Sequence, residues 1–217
     1  MIPLRDTIPS ARVPVVNYCL IAANVAVFVF ELSLGERAEA FLFAYGLVPR
    51  EFAFSRLLTS MFLHGGIAHL LGNMLYLYIF GDNVEDRMGH GRYLAFYLLC
   101  GVAAGSAQAL TNPDSGLPMV GASGAIAGVL GAYMLFFRRA RVVTLVFLFL
   151  FIFRAEVPAV FFLVVWFLWQ LGSGVATLAR APGGGVAFWA HVGGFVAGMI
   201  LGPVMRERPR PRPGWIN

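Results

Sequence analysis

Residues 121–137 read GASGAIAGVLGAYMLFF, a stretch of small and apolar residues without a single charge. Its length lies at the lower end of what a membrane-spanning helix needs. The whole chain shares this character, since 59% of its 217 residues are hydrophobic, 12% are charged, and the mean hydropathy is +0.76. Soluble domains carry about 25% charged residues. The sequence therefore predicts an integral membrane protein and excludes a water-soluble enzyme.

Apolar stretches of spanning length occur six times along the chain. They lie near residues 15–33, 68–82, 93–110, 121–137, 157–177 and 187–205. A further run, 142–153, is shorter and rich in Val and Phe, so we expect it to be interfacial or re-entrant. The predicted fold class is an all-α polytopic membrane protein. It has one six-helix transmembrane domain over residues 1–205 and a basic, proline-rich tail over residues 206–217.

The basic side chains indicate how the chain is oriented. All sixteen are arginines scattered between the apolar runs, and the net charge is +5, a distribution that disfavours nucleic-acid binding. With six spans and a cytoplasmic N-terminus, twelve arginines lie inside and four outside, in agreement with the positive-inside rule. We therefore expect a multi-pass protein of the cell membrane with both termini cytoplasmic. The long outer connection 34–67 is expected to rest on the membrane interface.

Polar side chains gather at the starts of three predicted spans. His69 and Asn73 are four residues apart and share a face of the second span, Ser123 opens the fourth, and His191 opens the sixth. In a six-span topology these three helices all enter the membrane from outside, so the four side chains lie at a similar shallow depth. If residues 142–153 spanned instead, His191 would lie on the opposite side from Ser123.

This combination of side chains is suited to acyl transfer. A serine hydroxyl becomes nucleophilic when a base accepts its proton, and His191 is the histidine placed to do so. The Ser123 N–H, His69 and Asn73 can donate to an oxyanion, although His69 and Asn73 can alternatively serve only to link helices. The interior of the spans holds no acidic residue to complete a triad, since Glu31 and Asp82 lie at span ends. The absence of an HExxH motif, of paired intramembrane aspartates and of an acidic relay disfavours other membrane proteases and proton-coupled transporters, and no metal or organic cofactor is implied.

These motifs resemble the rhomboid family of intramembrane serine proteases. The family pattern places GxSG at the start of helix four, a histidine at the start of helix six and HxxxN at the start of helix two. The corresponding residues here are Gly121-Ala122-Ser123-Gly124, His191 in AHVGG, and His69-Leu70-Leu71-Gly72-Asn73. The resemblance implies that Ser123 is the nucleophile, that His191 is the general base and acid, and that His69, Asn73 and the Ser123 amide form the oxyanion site.

The resemblance also implies supporting roles for four other residues, namely His64, Gly121, Gly124 and Arg56. A fair alternative for His64 is an anchor at the membrane interface. Two positions depart from the family pattern: its Trp-Arg pair in loop one is Ser55-Arg56 here, and the aromatic residue that stacks under the histidine in some members is Ala127. We therefore expect another group, Tyr133 or Trp189, to position His191.

The function implied by the resemblance is a serine endopeptidase that cleaves transmembrane segments of membrane proteins near their outer ends. Its expected partners are those substrates and the lipid bilayer. Two alternatives stay open, a catalytically inactive relative that binds or escorts membrane clients, and a small transporter. The connection 179–189 contains three consecutive glycines before Phe188 and Trp189, which suggests either a substrate gate or a plain flexible loop.

Overall fold

The computed structural model describes residues 1–148, 151–178 and 187–207, and most of them are helical. In chain order the elements are β1 (Ile2–Asp6), α1 (Val15–Ser33), α2 (Ala38–Tyr45), α3 (Phe54–Thr59), α4 (Ile67–Met88), α5 (His90–Thr111), α6 (Ser123–Phe136), β2 (Arg141–Leu148), β3 (Phe151–Pro158), α7 (Ala159–Leu178) and α8 (Phe188–Met205). Single turns of 3-10 helix lie at Gly35–Arg37, Pro49–Glu51 and Ser60–Phe62. The connection between α1 and α4 is therefore a structured loop.

Four of the described helices are long and apolar enough to cross a membrane: α1, α5, residues 159–176 of α7, and α8. Helix α6 is apolar but has only 14 residues. Helix α4 has 22 residues, and its last two turns carry Asp82, Glu85, Asp86 and Arg87. The predicted helical stretches agree with these helices, although α4 extends to Met88, six residues beyond the predicted end.

Helices α6 and α8 pack with their backbones in direct contact. A methyl group added at Gly194 would lie 2.0 Å from the carbonyl oxygen of Gly124, and one at Gly198 would lie 1.9 Å from that of Gly128. The glycines are spaced four residues apart on both helices, which is the small-residue pattern that allows close helix approach in membranes. These glycines therefore let the two helices touch.

The described residues of the run 142–153, namely 142–148 and 151–153, belong to two paired strands, called the hairpin below. Strand β2 pairs with β3 in antiparallel register from Arg141↔Pro158 to Leu148↔Phe151, and β1 pairs with the first half of β2, up to Ile2↔Leu145. Val, Thr and Phe favour strands over helices, which explains this choice of structure. The described residues of the run are strands and not a spanning helix, as predicted, but the all-α expectation is wrong because the fold includes this three-stranded sheet.

The C-terminal end of the described chain meets the segment before α1 at the turn between α4 and α5. The Glu207 carboxylate lies 3.1 Å from the Arg12 guanidinium, and the Glu207 N–H donates to the Arg87 carbonyl oxygen at 2.9 Å. At the same end, the Glu85 carboxylate accepts the N–H groups of Val16 and Asn17 and so caps the N-terminus of α1. The predicted tail 206–217 lies outside the described residues from residue 208 onward.

Gly198→Ala should destabilise the protein by about 1–3 kcal/mol, because the methyl group would collide with the α6 backbone. Gly172→Ala is the matched control, since a methyl group there meets nothing within 4 Å and should be neutral or mildly stabilising. Thermal unfolding in detergent compares the two variants. Equal melting temperatures would contradict the close approach of α6 and α8.

Candidate active site

Ser123 and His191 face each other at the N-terminal ends of α6 and α8. The Ser123 hydroxyl oxygen lies 2.7 Å from His191 Nε2, within hydrogen-bonding distance. The contact follows from the glycine packing, because Ser123 directly precedes Gly124 and His191 lies three residues before Gly194. The start of α8 is also tied to α5, since the Ala190 N–H donates to the Gln108 side-chain oxygen at 3.2 Å.

The other side of the His191 ring is held by α7. His191 Nδ1 lies 2.8 Å from the side-chain oxygen of Gln170, which can only accept, so Nδ1 carries the proton and Nε2 is left free to accept from Ser123. The Trp166 ring lies 5.8 Å from the His191 ring, with an angle of 36° between their planes. Trp166 and Gln170 are four residues apart and share one face of α7. Together they fix the tautomer and the orientation of the imidazole.

His69 and Asn73 lie beside the turn that precedes Ser123. A methyl group at Gly121 would lie 2.7 Å from the His69 ring and 3.5 Å from the Asn73 amide nitrogen. Gly121 has a φ of +124°, a conformation that glycine adopts readily, and its N–H donates to the Ser60 carbonyl oxygen at 2.9 Å. Only glycine at this position lets the α4 side chains approach the start of α6.

His64 supports Asn73 from the loop before α4. It is buried, and its Nε2 accepts a hydrogen bond from the Asn73 amide at 3.0 Å while its Nδ1–H donates to the Phe62 carbonyl oxygen at 3.3 Å. Burial, with a smaller contribution from nearby His69, lowers the pKa of His64 to about 4. His64 is therefore neutral at pH 7, in the tautomer that orients Asn73. This placement favours a supporting role for His64 over the alternative of an interface anchor.

A protein-family model described as "Rhomboid domain" matches residues 51–208, which is most of the chain. The chain belongs to the rhomboid family. This family consists generally of serine proteases of the membrane, and the apolar helices agree with a multi-pass membrane protein.

Several curated rhomboid relatives are similar to this chain. "RHOMBOID-like protein 4" of Arabidopsis thaliana is 36% identical over 162 residues, covering 75% of this chain and 36% of the relative. "Rhomboid protease GluP" of Bacillus subtilis is 37% identical over 126 residues, covering 56% and 24%. "Rhomboid protein 1, mitochondrial" of Saccharomyces cerevisiae is 30% identical over 202 residues, covering 85% and 51%. The chain thus spans between about a quarter and a half of the length of these relatives.

The rhomboid structure corrects the prediction for the positioning of His191. Tyr133 is directed to the other end of α6, where its hydroxyl donates to the Asp6 carboxylate at 2.5 Å. Trp189 packs beside Gly174 of α7. Gln170 and Trp166 hold the ring instead, and the sequence signal for Gln170 was its position as a neutral polar residue within an otherwise apolar stretch.

Other predicted site residues fall into three groups. Gly121 and Gly124 lie beside Ser123 and make the close approaches described above. Arg56 stays within the loop, where its guanidinium lies 3.8 Å from the Glu51 carboxylate, and it does not join the Ser123 cluster among the described contacts. The suggested gate at 179–189 lies outside the described residues up to residue 186.

Gln170→Leu should lower the turnover of a membrane-protein substrate by about 10- to 100-fold with little change in KM, because the imidazole loses its orienting acceptor. Gln170→Glu keeps an acceptor and should restore part of the rate. Steady-state kinetics in detergent or liposomes measure both. If Gln170 only stabilised the fold, both variants would have lower melting temperatures and an unchanged kcat.

Proposed function

We propose that this rhomboid protein is an intramembrane serine endopeptidase that cleaves transmembrane segments of membrane proteins near their outer ends. The observation that carries the proposal is the 2.7 Å contact between the Ser123 hydroxyl and His191 Nε2, with Gln170 behind the ring. Family membership and the protease-named relative from Bacillus subtilis support the same activity.

The proposed reaction proceeds through an acyl-enzyme. As the Ser123 oxygen attacks the carbonyl carbon, His191 Nε2 accepts the hydroxyl proton and Gln170 stabilises the imidazolium through Nδ1–H. His191 then donates that proton to the leaving amine as the peptide bond breaks. A water molecule next gives a proton to His191 and attacks the ester, and the second product leaves as a carboxylic acid while the Ser123 hydroxyl is regenerated.

The oxyanion of each tetrahedral intermediate needs donors beside Ser123. Ser123 is the first residue of α6, so its N–H has no carbonyl partner in the helical i to i−4 pattern. The Asn73 amide carries two N–H groups, and one of them is used by His64. The remaining Asn73 N–H, together with the His69 ring, supports an oxyanion site on the α4 side of Ser123.

A narrow cavity next to Ser123 supports a preference for small side chains in the substrate. Its walls include Met61 and Met119 together with glycine and alanine residues, among them Gly121 and Ala190. Methionine can adjust its shape, but the close backbone packing of glycine and alanine leaves little room to expand. We therefore propose that the residue on the acyl side of the cleaved bond is small.

The proposed membrane arrangement has six spans, formed by α1, α4, α5, α6, α7 and α8, within a domain over residues 1–205. Arg12 and Glu207 lie together at the end of the bundle that is remote from Ser123. The distribution of twelve arginines against four supports placing that end, with both termini and the 206–217 tail, in the cytoplasm. The Ser123 end then lies near the outer surface, and the loop 34–66 lies beside it at the interface.

Ser123→Ala should abolish cleavage of a transmembrane substrate, with a loss of at least about 1000-fold, because no other group supplies the nucleophile. Ser33→Ala is the matched control, since that exposed hydroxyl donates only to the Phe30 carbonyl oxygen. Cleavage and melting temperature are measured together. Wild-type cleavage by the Ser123 variant would contradict the protease proposal, and loss of the fold would indicate a packing role.

Asn73→Ala should lower kcat by about 10- to 1000-fold, with a smaller change in KM, because its donor acts mainly in the transition state. His64→Phe removes the partner of Asn73 but leaves the amide in place, so its kcat should fall less. Single-turnover kinetics compare the two variants. Equal losses of stability with unchanged kcat would show that Asn73 only links α4 to the loop.

A further inference from the structure

The β-hairpin extends beyond the strand that supports its base. Strand β1 ends its pairing at Ile2↔Leu145, whereas β2 and β3 stay paired three residues further, to Leu148↔Phe151. The far part of the hairpin is therefore a two-stranded ribbon. Isolated two-stranded ribbons are marginally stable in water, so this part needs a further surface to pack against.

The two halves of the hairpin differ in the polarity of their faces. Near the base, Val142 and Thr144 are buried on one face while Arg154 and Glu156 are exposed on the other, as expected for a sheet between a core and water. Beyond the base, the consecutive residues Phe151, Ile152 and Phe153 are 73%, 63% and 45% exposed. Because consecutive side chains alternate between faces, both faces of this segment are apolar and open.

Positive charge is concentrated at the base of the same hairpin. Residues 137–158 contain four arginines and one glutamate, a net charge of +3, and all four arginines are exposed: Arg138, Arg139, Arg141 and Arg154. The Glu156 carboxylate lies 3.3 Å from the Arg141 guanidinium, so it offsets that arginine. The hairpin thus combines an exposed apolar segment, 151–153, with a positively charged base. This combination is typical of protein segments that bind anionic membrane surfaces.

We propose that the hairpin docks on an anionic lipid leaflet, with residues 151–153 inserted at the boundary of headgroups and acyl chains and the base arginines on lipid phosphates. Lipid is favoured over another protein because the hairpin leaves directly from α6 and α7 of a membrane protein and its segment 151–153 is apolar on both faces. The insertion is shallow, about 5–10 Å, since the outer edge of β3 is not paired with a strand of the described sheet and its backbone groups need water.

A fluorophore attached at Ile152 tests this docking in the full-length protein. Cys19 and Cys100 are replaced by alanine, Ile152→Cys is labelled with NBD, and the protein is placed in nanodiscs of phosphatidylcholine, with or without phosphatidylglycerol. Glu156→Cys is the matched control, four residues away on the same face of β3. Doxyl lipids quench a probe in the bilayer, and iodide quenches one in water. Melting temperatures equal to that of the unlabelled protein show that each variant is folded.

We expect lipids with a shallow doxyl group to quench the Ile152 probe at least about threefold more than the Glu156 probe, with the difference larger in phosphatidylglycerol. Arg154→Gln should reduce that dependence on phosphatidylglycerol. Iodide quenching of Ile152 equal to that of Glu156, without doxyl quenching, would overturn the proposal. A third outcome is that the Ile152 probe is protected from both quenchers and loses this protection when the protein is diluted in lipid. That result would show that residues 151–153 pack against a second copy of the chain, and it would also overturn the proposal. Equal doxyl quenching in both lipid mixtures would overturn the role of the arginines.

Discussion

The contact between the α6 and α8 backbones is the constraint on which the rest of the site depends. Gly124 faces Gly194 and Gly128 faces Gly198 with no room for a methyl group between them. Because the helices touch along this line, Ser123 and His191 come to the same depth and within hydrogen-bonding distance. Any larger residue on the line would separate the helices and the two side chains with them.

The partner of His191 is the neutral side chain of Gln170, and the apolar surroundings of the site explain why it is uncharged. Soluble serine proteases orient the histidine with an aspartate, but a charged carboxylate in an apolar bundle carries a large desolvation cost. Gln170 supplies the acceptor without a charge, and the Trp166 ring restricts the imidazole from its face. The amide orients the ring as a carboxylate does, but it stabilises the imidazolium less. The proposed mechanism therefore depends more heavily on geometry and on the oxyanion donors.

The sequence predicted the long helices from local patterns of apolar residues. It placed Ser123 and His191 at a similar depth through the six-span topology and the resemblance to the rhomboid family, and not through any local pattern. It missed Gln170 and Trp166 because their role depends on the rotation of α7 about its axis, and an apolar helix carries little pattern to define that rotation. It also missed the sheet, since the pairing of residues 2–6 with β2 joins segments about 140 residues apart. Tyr133 was wrongly expected to position His191. It lies ten residues after Ser123, toward the opposite end of α6, where its hydroxyl donates to Asp6.

The central claim is that Ser123 is an activated nucleophile, and covalent labelling by a fluorophosphonate tests it most directly. The purified protein is treated in detergent, and the modified residue is identified by mass spectrometry of its peptides. The account predicts stoichiometric labelling on Ser123 that is lost in His191→Ala, since the free hydroxyl is unreactive without its base. Absence of labelling, labelling of another serine, or equal labelling of His191→Ala would contradict the account.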